Sequence, residues 1–200
     1  METQERKKEI ITTAFKLIAE KGVEEFTIKN ISRSIGISEP AMYRHFASKN
    51  DILRALIEEI CYLWEKNWAH VIASYESELE QLVQFYISRA KEFDAFPPLS
   101  IIMFPDIIFA GSPELMEKLM SMTDQNKNRH MYLIESLQNR GVFTSAIPQE
   151  HIFTMLTGGF RLLVSRWSMQ RKLGNLYRLE EKTRDFISST VQFLCSVSVT

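Results

Sequence analysis

Two hundred residues, 45% hydrophobic and 24% charged, describe an ordinary globular balance with room for one or two domains, and they exclude a fibre or a disordered tail. A net charge of −1 gives no global sign of a polyanionic partner, and two distant cysteines, Cys61 and Cys195, without CxxC spacing argue against a disulfide framework or a zinc cage. The N-terminal residues lack an apolar leader, and no run approaches the roughly 18 apolar residues of a membrane span, so a cytoplasmic location without a membrane is expected.

In chain order, Ile10, Ala14, Leu17 and Ile18 recur at helical spacing and Gly22 follows as a stop, which predicts a helix over 4–21. Thr27 and Ser38 read as N-caps of two short helices, over about 28–35 and 39–45. Phe26 with Ile31, and Ile37 with Met42, supply the apolar pair that fixes the angle of each helix start. Gly36 stands where the first of them needs a left-handed residue to turn. Ser48, with Asp51 three residues on, starts the next helix. Helical segments at 77–93, 112–141, 148–172 and 179–195 follow, cut by Pro97, Pro98, Pro105, Pro113 and Pro148. The expectation is an all-α protein of about nine helices.

The segment 27–54 carries Lys29, Arg33, Arg44, Lys49 and Arg54 against Glu39 and Asp51, a local charge of +3 in a chain of −1. Met42 and Phe46 share one face of the second short helix, which leaves Ser38, Glu39, Ala41, Tyr43, Arg44 and His45 on the others. Polar, cationic and aromatic groups on a short surface helix suit a major groove about 12 Å wide. A glycine-joined helix pair also serves as a plain structural corner in a bundle, and spacing alone leaves both readings open.

The run FTIKNISRSIGISEPAMYRHFASKNDILRALI resembles the DNA-binding head of the tetracycline-repressor (TetR) family: a Thr-led helix, a Gly-hydrophobic-Ser turn, a Tyr-x-x-Phe recognition helix and a Ser-Lys helix start. The resemblance spans about residues 10–57; beyond it only the order of helices is similar. It implies a helix-turn-helix domain over 1–47, with the motif at about 27–46, and a ligand-binding and dimerisation domain over 48–200. Thr27, Tyr43 and Lys49 match positions that hold the DNA backbone, a role their hydroxyls and ammonium suit chemically. Ser38, Glu39, Pro40, Ala41, Arg44 and His45 match base-facing or groove-wall positions. Arg44 suits guanine, while Glu39 either accepts from cytosine N4 or merely complements the helix dipole. Pro40 and Ser32 depart from the family's usual glycine and alanine.

Helix-turn-helix heads commonly read DNA in pairs. A dimer seam is expected along Ile152, Leu156, Gly159, Phe160 and Leu163, completed by Phe186, Thr190 and Phe193. Between them lies an aromatic- and methionine-rich middle, in which Trp64, Trp68, Phe85, Tyr86, Met103, Phe104 and Met120, with Trp167, are candidate walls of a ligand cavity that the resemblance implies. Arg89, Glu92, Asp94 and Asp106 are candidate polar selectors. The expected partners are an operator in double-stranded DNA, a second copy of the chain and an unknown small-molecule effector. No cofactor or metal is expected. The expected function is that of a DNA-binding transcriptional regulator, a repressor released from a palindromic operator by a small, largely apolar ligand; control by a protein partner is the alternative. An enzyme is disfavoured by the absence of HExxH, GxSxG, GxGxxG and P-loop patterns.

Overall fold

The computed structural model describes residues 2–104, 108–109 and 111–196; Pro105 and Asp106 lie outside them. Among the described residues there are eight long or short α-helices: α1 (Glu2–Lys21), α2 (Ile28–Ile35), α3 (Glu39–Met42), α4 (Lys49–Ser74), α5 (Glu78–Ala95), α6 (Pro113–Asn139), α7 (Gln149–Lys172) and α8 (Leu179–Ser196). Two 3-10 turns, Val23–Glu25 and Pro97–Met103, join them. The all-α expectation holds, and the long helices agree with the sequence reading to within a few residues at each end. One element differs: α3 keeps helical form only to Met42, after which His45 N–H bonds to Met42 O at 2.9 Å and Arg44 N–H to Ala41 O at 3.3 Å, a tightened turn.

The chain forms two compact units, residues 1–63 with 98–121 and residues 64–97 with 122–200. In the first, α1 packs on α2 and α2 on α3, burying Ile10, Ala14, Ile18, Phe26, Ile31 and Met42 around one small core. In the second, α5 and α7 each pack on α8 over Tyr86, Phe93, Leu156, Val164, Trp167 and Ile187. Among the described residues Cys61 and Cys195 form no disulfide. No helix among the described residues is long and apolar enough to cross a membrane.

Candidate nucleic-acid interface and sensor core

The head is built by capping. Thr27 Oγ1 accepts the Asn30 N–H at 3.1 Å and Ser38 Oγ accepts the Ala41 N–H at 3.3 Å, so both short helices begin where the hydroxyls stand. Gly36 closes α2 at φ 72°, ψ 30°. There the Ile37 N–H bonds Ser32 O at 3.0 Å and the Gly36 N–H bonds Arg33 O, the paired closure that satisfies the last carbonyls of a helix. Ser32 fits where a smaller alanine was expected because its buried hydroxyl donates to Lys29 O of its own helix at 3.0 Å. Ser48 Oγ accepts the Asp51 N–H at 3.1 Å and donates to Asp51 Oδ2 at 2.9 Å, which fixes the first turn of α4.

This framework turns a defined set of groups outward. Ser38, Glu39 and Pro40 are exposed at the start of α3, and Ala41 is partly so. Tyr43 is 51% exposed and Arg44 is exposed beside it. His45 is half-buried, and its Nδ1 has no hydrogen-bond partner among the described residues. Lys49 sits at the first position of α4 with its ammonium 5.1 Å from the centre of the buried Phe26 ring, a contact that restrains the stem and leaves the charge at the surface. One group missed in the sequence is Lys7 of α1, whose ammonium lies 5.6 Å from the Phe46 ring centre beside an open depression of about 570 Å³ also lined by His45 and Arg54. Only the fold brings α1 to this turn.

The sequence profile described as bacterial regulatory proteins, tetR family, matches residues 10–56, the same head. The head, residues 10–56, is that of a bacterial regulatory protein of the tetR family. Nucleoid occlusion factor SlmA of Pasteurella multocida is 22% identical over 194 residues, 90% of this chain and 94% of its own. SlmA of Mannheimia succiniciproducens is 40% identical over 58 residues, which are 28% of this chain and 27% of that one. Among solved structures, ketosteroid transcriptional regulator KstR2 of Mycobacterium tuberculosis superposes with a TM-score of 0.81 at 15% identity, covering 96% of each chain. The regulator FadR of Bacillus subtilis, solved in complex with stearoyl-CoA, gives 0.74 at 20% identity over 94% of this chain and 97% of that one. These structural likenesses extend a shared fold along nearly the whole chain. The matched description is one of bacterial regulatory proteins, and it covers the helix-turn-helix head.

The sensor residues expected from sequence divide. Trp68 and Phe85 stack at 4.3 Å, Phe85 and Tyr86 meet edge-on at 5.4 Å, and all three are buried. Trp68 Nε1–H donates to Asn126 Oδ1 at 2.9 Å, and the Tyr86 hydroxyl pairs with Thr157 Oγ1 at 3.0 Å. Burial pushes the Tyr86 phenol well above its ordinary range, against the opposing pull of Thr157. Trp64 is half-buried further back on α4. Trp167 is not part of the cluster: its indole N–H donates to Tyr177 O at 3.1 Å and Arg171 lies over its ring. Met103, Phe104 and Met120 belong to the other unit, and Met120 is 59% exposed.

The selectors are also reassigned. Asp94 accepts the N–H groups of Leu179 and Glu180, both at 2.9 Å, and so caps α8 from the end of α5. Arg89 is buried and pairs with Glu92 at 2.8 Å; burial lowers its guanidinium to about 10, opposed by the Glu92 charge. The residue sequence reasoning missed is His130 of α6, which completes the aromatic cluster at 4.6 Å from Phe85 and 5.0 Å from Trp68.

The expected dimer seam needs correction. Ile152 and Leu156 are fully buried and Phe160 is 2% exposed, so these three fill the chain's own core and offer nothing to a second copy. Gly159 faces inward as well: a Cβ built there would meet the Phe186 ring, so the glycine admits α8 against α7 within the chain. Leu163, Phe186 and Thr190 are half-buried, and the Thr190 hydroxyl donates to Phe186 O. Phe193, 48% exposed, is the one residue of the set that is mainly at the surface. The exposed apolar groups of α7 are Met155, Leu162 and Met169, seven residues apart on one face.

Proposed function

We propose that this chain is a transcriptional repressor that binds a palindromic operator as a homodimer and leaves it when a small, largely apolar ligand binds. The observation that carries the DNA half is the head: two hydroxyl-capped helices joined at Gly36, with Tyr43, Arg44 and Lys49 held outward by buried Phe26, Ile31 and Met42. In this reading Thr27, Tyr43 and Lys49 hold phosphates. Ser38, Glu39, Pro40, Ala41, Arg44 and His45 line the groove, with Arg44 suited to guanine and Glu39 to the exocyclic amine of cytosine.

Two heads are joined through the face of α7 that carries Met155, Leu162 and Met169, together with the exposed Phe193 of α8. Gly158 and Ser165 lie between those apolar residues and let a partner helix come close. The ligand half rests on the fold shared with KstR2 and with the FadR–stearoyl-CoA complex, whose named molecules are apolar or carry apolar chains. Trp68 lies on α4, which continues without a break to Lys49, so displacement of Trp68 by a ligand moves a phosphate contact. Release requires the ligand to prefer the DNA-incompetent form, because only differential affinity shifts a two-state balance.

Titration of the purified chain with the DNA upstream of its own reading frame, at several salt concentrations, tests the first half. A specific site should exceed random DNA by roughly 10³ or more and weaken steeply with salt. Tyr43→Phe and Lys49→Ala should weaken all sequences alike, whereas Arg44→Ala should change the preference at one base position. No preferred DNA overturns the reading. A second reading replaces the small molecule by a protein partner; the relative that matches along 90% of this chain is named for nucleoid occlusion rather than for a ligand.

A further inference from the structure

His130 is 1% exposed and surrounded by rings: Phe85 at 4.6 Å, Trp68 at 5.0 Å, Tyr86 at 5.4 Å and Phe153 at 5.6 Å. Its Nδ1 lies 2.8 Å from Asn126 O. A carbonyl oxygen only accepts, so Nδ1 carries the proton, and in the neutral ring Nε2 is then a bare lone pair. Burial lowers the ring to about 4, opposed by the bond to Asn126, which keeps it neutral near pH 7. Nε2 is buried and has no hydrogen-bond partner among the described residues.

An unpaired buried acceptor is costly, and native interiors satisfy nearly all of theirs with protein, water or ligand. Of the donors close by, Trp68 Nε1–H is held by Asn126 Oδ1, and the Tyr86 hydroxyl is paired with Thr157 Oγ1, with either oxygen as donor. A water beside Nε2 would face mostly ring carbon, whereas a buried water takes two to four polar partners. A molecule that brings one donor and an apolar body has no such deficit. Four of the five rings are buried; Phe153, on α7, is only half so and is the wall with room to turn aside.

We propose that this cage is the seat of the effector and that His130 Nε2 accepts a hydrogen bond from it. The ligand class is then a flat, apolar molecule bearing one hydroxyl or N–H donor, such as a phenol-like ring system. The proposal rests on the ligand-release reading above and narrows its chemistry. Insertion turns Phe153 outward, places the apolar body against Trp68 and Phe85, and fills the hydrogen-bond site at His130 Nε2 that the described residues leave open.

The test uses three probes of one shape on the full chain: 2-naphthol, which donates, 2-methoxynaphthalene, which only accepts, and naphthalene, which does neither. Calorimetry should show 2-naphthol binding about tenfold more tightly than either of the others, a ratio that one ordinary hydrogen bond supports. The ¹⁵N resonance of His130 Nε2 should move with saturation. In His130→Phe, which keeps a ring in the cage, the three probes should bind alike. Phe153→Ala, which opens the wall, should tighten all three and keep the donor preference.

Equal affinities in the native chain, no binding to it or to Phe153→Ala, or a donor preference that survives in His130→Phe overturns the proposal. Each variant's thermal unfolding is recorded first, so that loss of fold is not read as loss of a site; a misfolded His130→Phe leaves the Nε2 resonance of the native chain to decide. The release reading fails separately: donor-selective binding with unchanged operator affinity sinks release and keeps the site, whereas release by other apolar compounds without probe binding does the reverse.

Discussion

Replacing Gly159 by alanine tests whether α7 and α8 meet where the structure places them. The added Cβ would stand 2.8 Å from Phe186 Cε2 and closer still to Cζ, well inside the ordinary carbon–carbon separation of about 3.5–4.0 Å. Either the ring swings toward solvent and gives up its half-burial, or the two helices part. Overpacking of this kind costs about 1–3 kcal/mol. Alanine returns about 1 kcal/mol through its better helix propensity. The net expected loss is about 1 kcal/mol, which in a chain of this length lowers the melting temperature by about 2–4 °C. In a Phe186→Ala background the obstruction is gone, so the same Gly159→Ala change should raise the melting temperature by a similar amount. Thermal unfolding of the four proteins at one concentration gives the coupling directly. If Gly159→Ala stabilises the native background as much as the Phe186→Ala background, the close approach of α8 to Gly159 is wrong.

Leu162→Glu, on the exposed face of α7, should leave the fold intact and convert a dimer into a 23.3 kDa monomer in sedimentation, whereas Leu156→Ala should destabilise the chain by about 2–5 kcal/mol through a core cavity. Gly36→Ala forces a side chain into φ 72° and should cost about 1–2 kcal/mol, read as lower melting temperature and weakened DNA binding. Because folding lowers His130 from 6.5 to about 4, the unfolded chain takes up a proton first as pH falls. Its share of stability is present above about pH 6.5 and lost on the way down to about pH 4, up to about 3 kcal/mol. Urea unfolding at pH 7.5 and 5 should show this loss in the native chain and a smaller one in His130→Phe.

The head was legible because its instructions are local. Thr27, Ser38 and Ser48 each bond a backbone N–H three residues on, and Gly36 takes a backbone shape that other residues resist, so type and spacing alone place the helix boundaries. The tightened turn after Met42 was not legible, since nothing in Tyr43-Arg44-His45 forbids another helical turn. That Ile152, Leu156 and Phe160 of the expected seam lie in the chain's own core was hidden in the sequence for a geometric reason. On α7 a stripe through Ile152, Leu156 and Phe160, four apart, and one through Met155, Leu162 and Met169, seven apart, both fit a helix of 3.6 residues per turn. Periodicity defines a face; it does not say whether that face meets the chain's own α8 or a second molecule.

The sensor poses the same ambiguity in a harder form. A ring that fills a core and a ring that lines a pocket are the same residue at the same spacing, so Trp68, Phe85 and Tyr86 were nameable as candidates while Trp167, equally aromatic, proved to be an ordinary tie between α7 and the loop before α8. Hydrogen-bond accounting breaks the tie. Trp68, Tyr86 and Trp167 each have their polar atom satisfied within the chain, and only His130 among the rings of the cluster keeps one open. A core with no ligand to bind would be as stable with phenylalanine there, since the unpaired nitrogen is a net loss. His130→Phe should therefore melt no lower than the native chain at pH 7.5. If it melts several degrees lower, Nε2 already has a partner and the cage is structural.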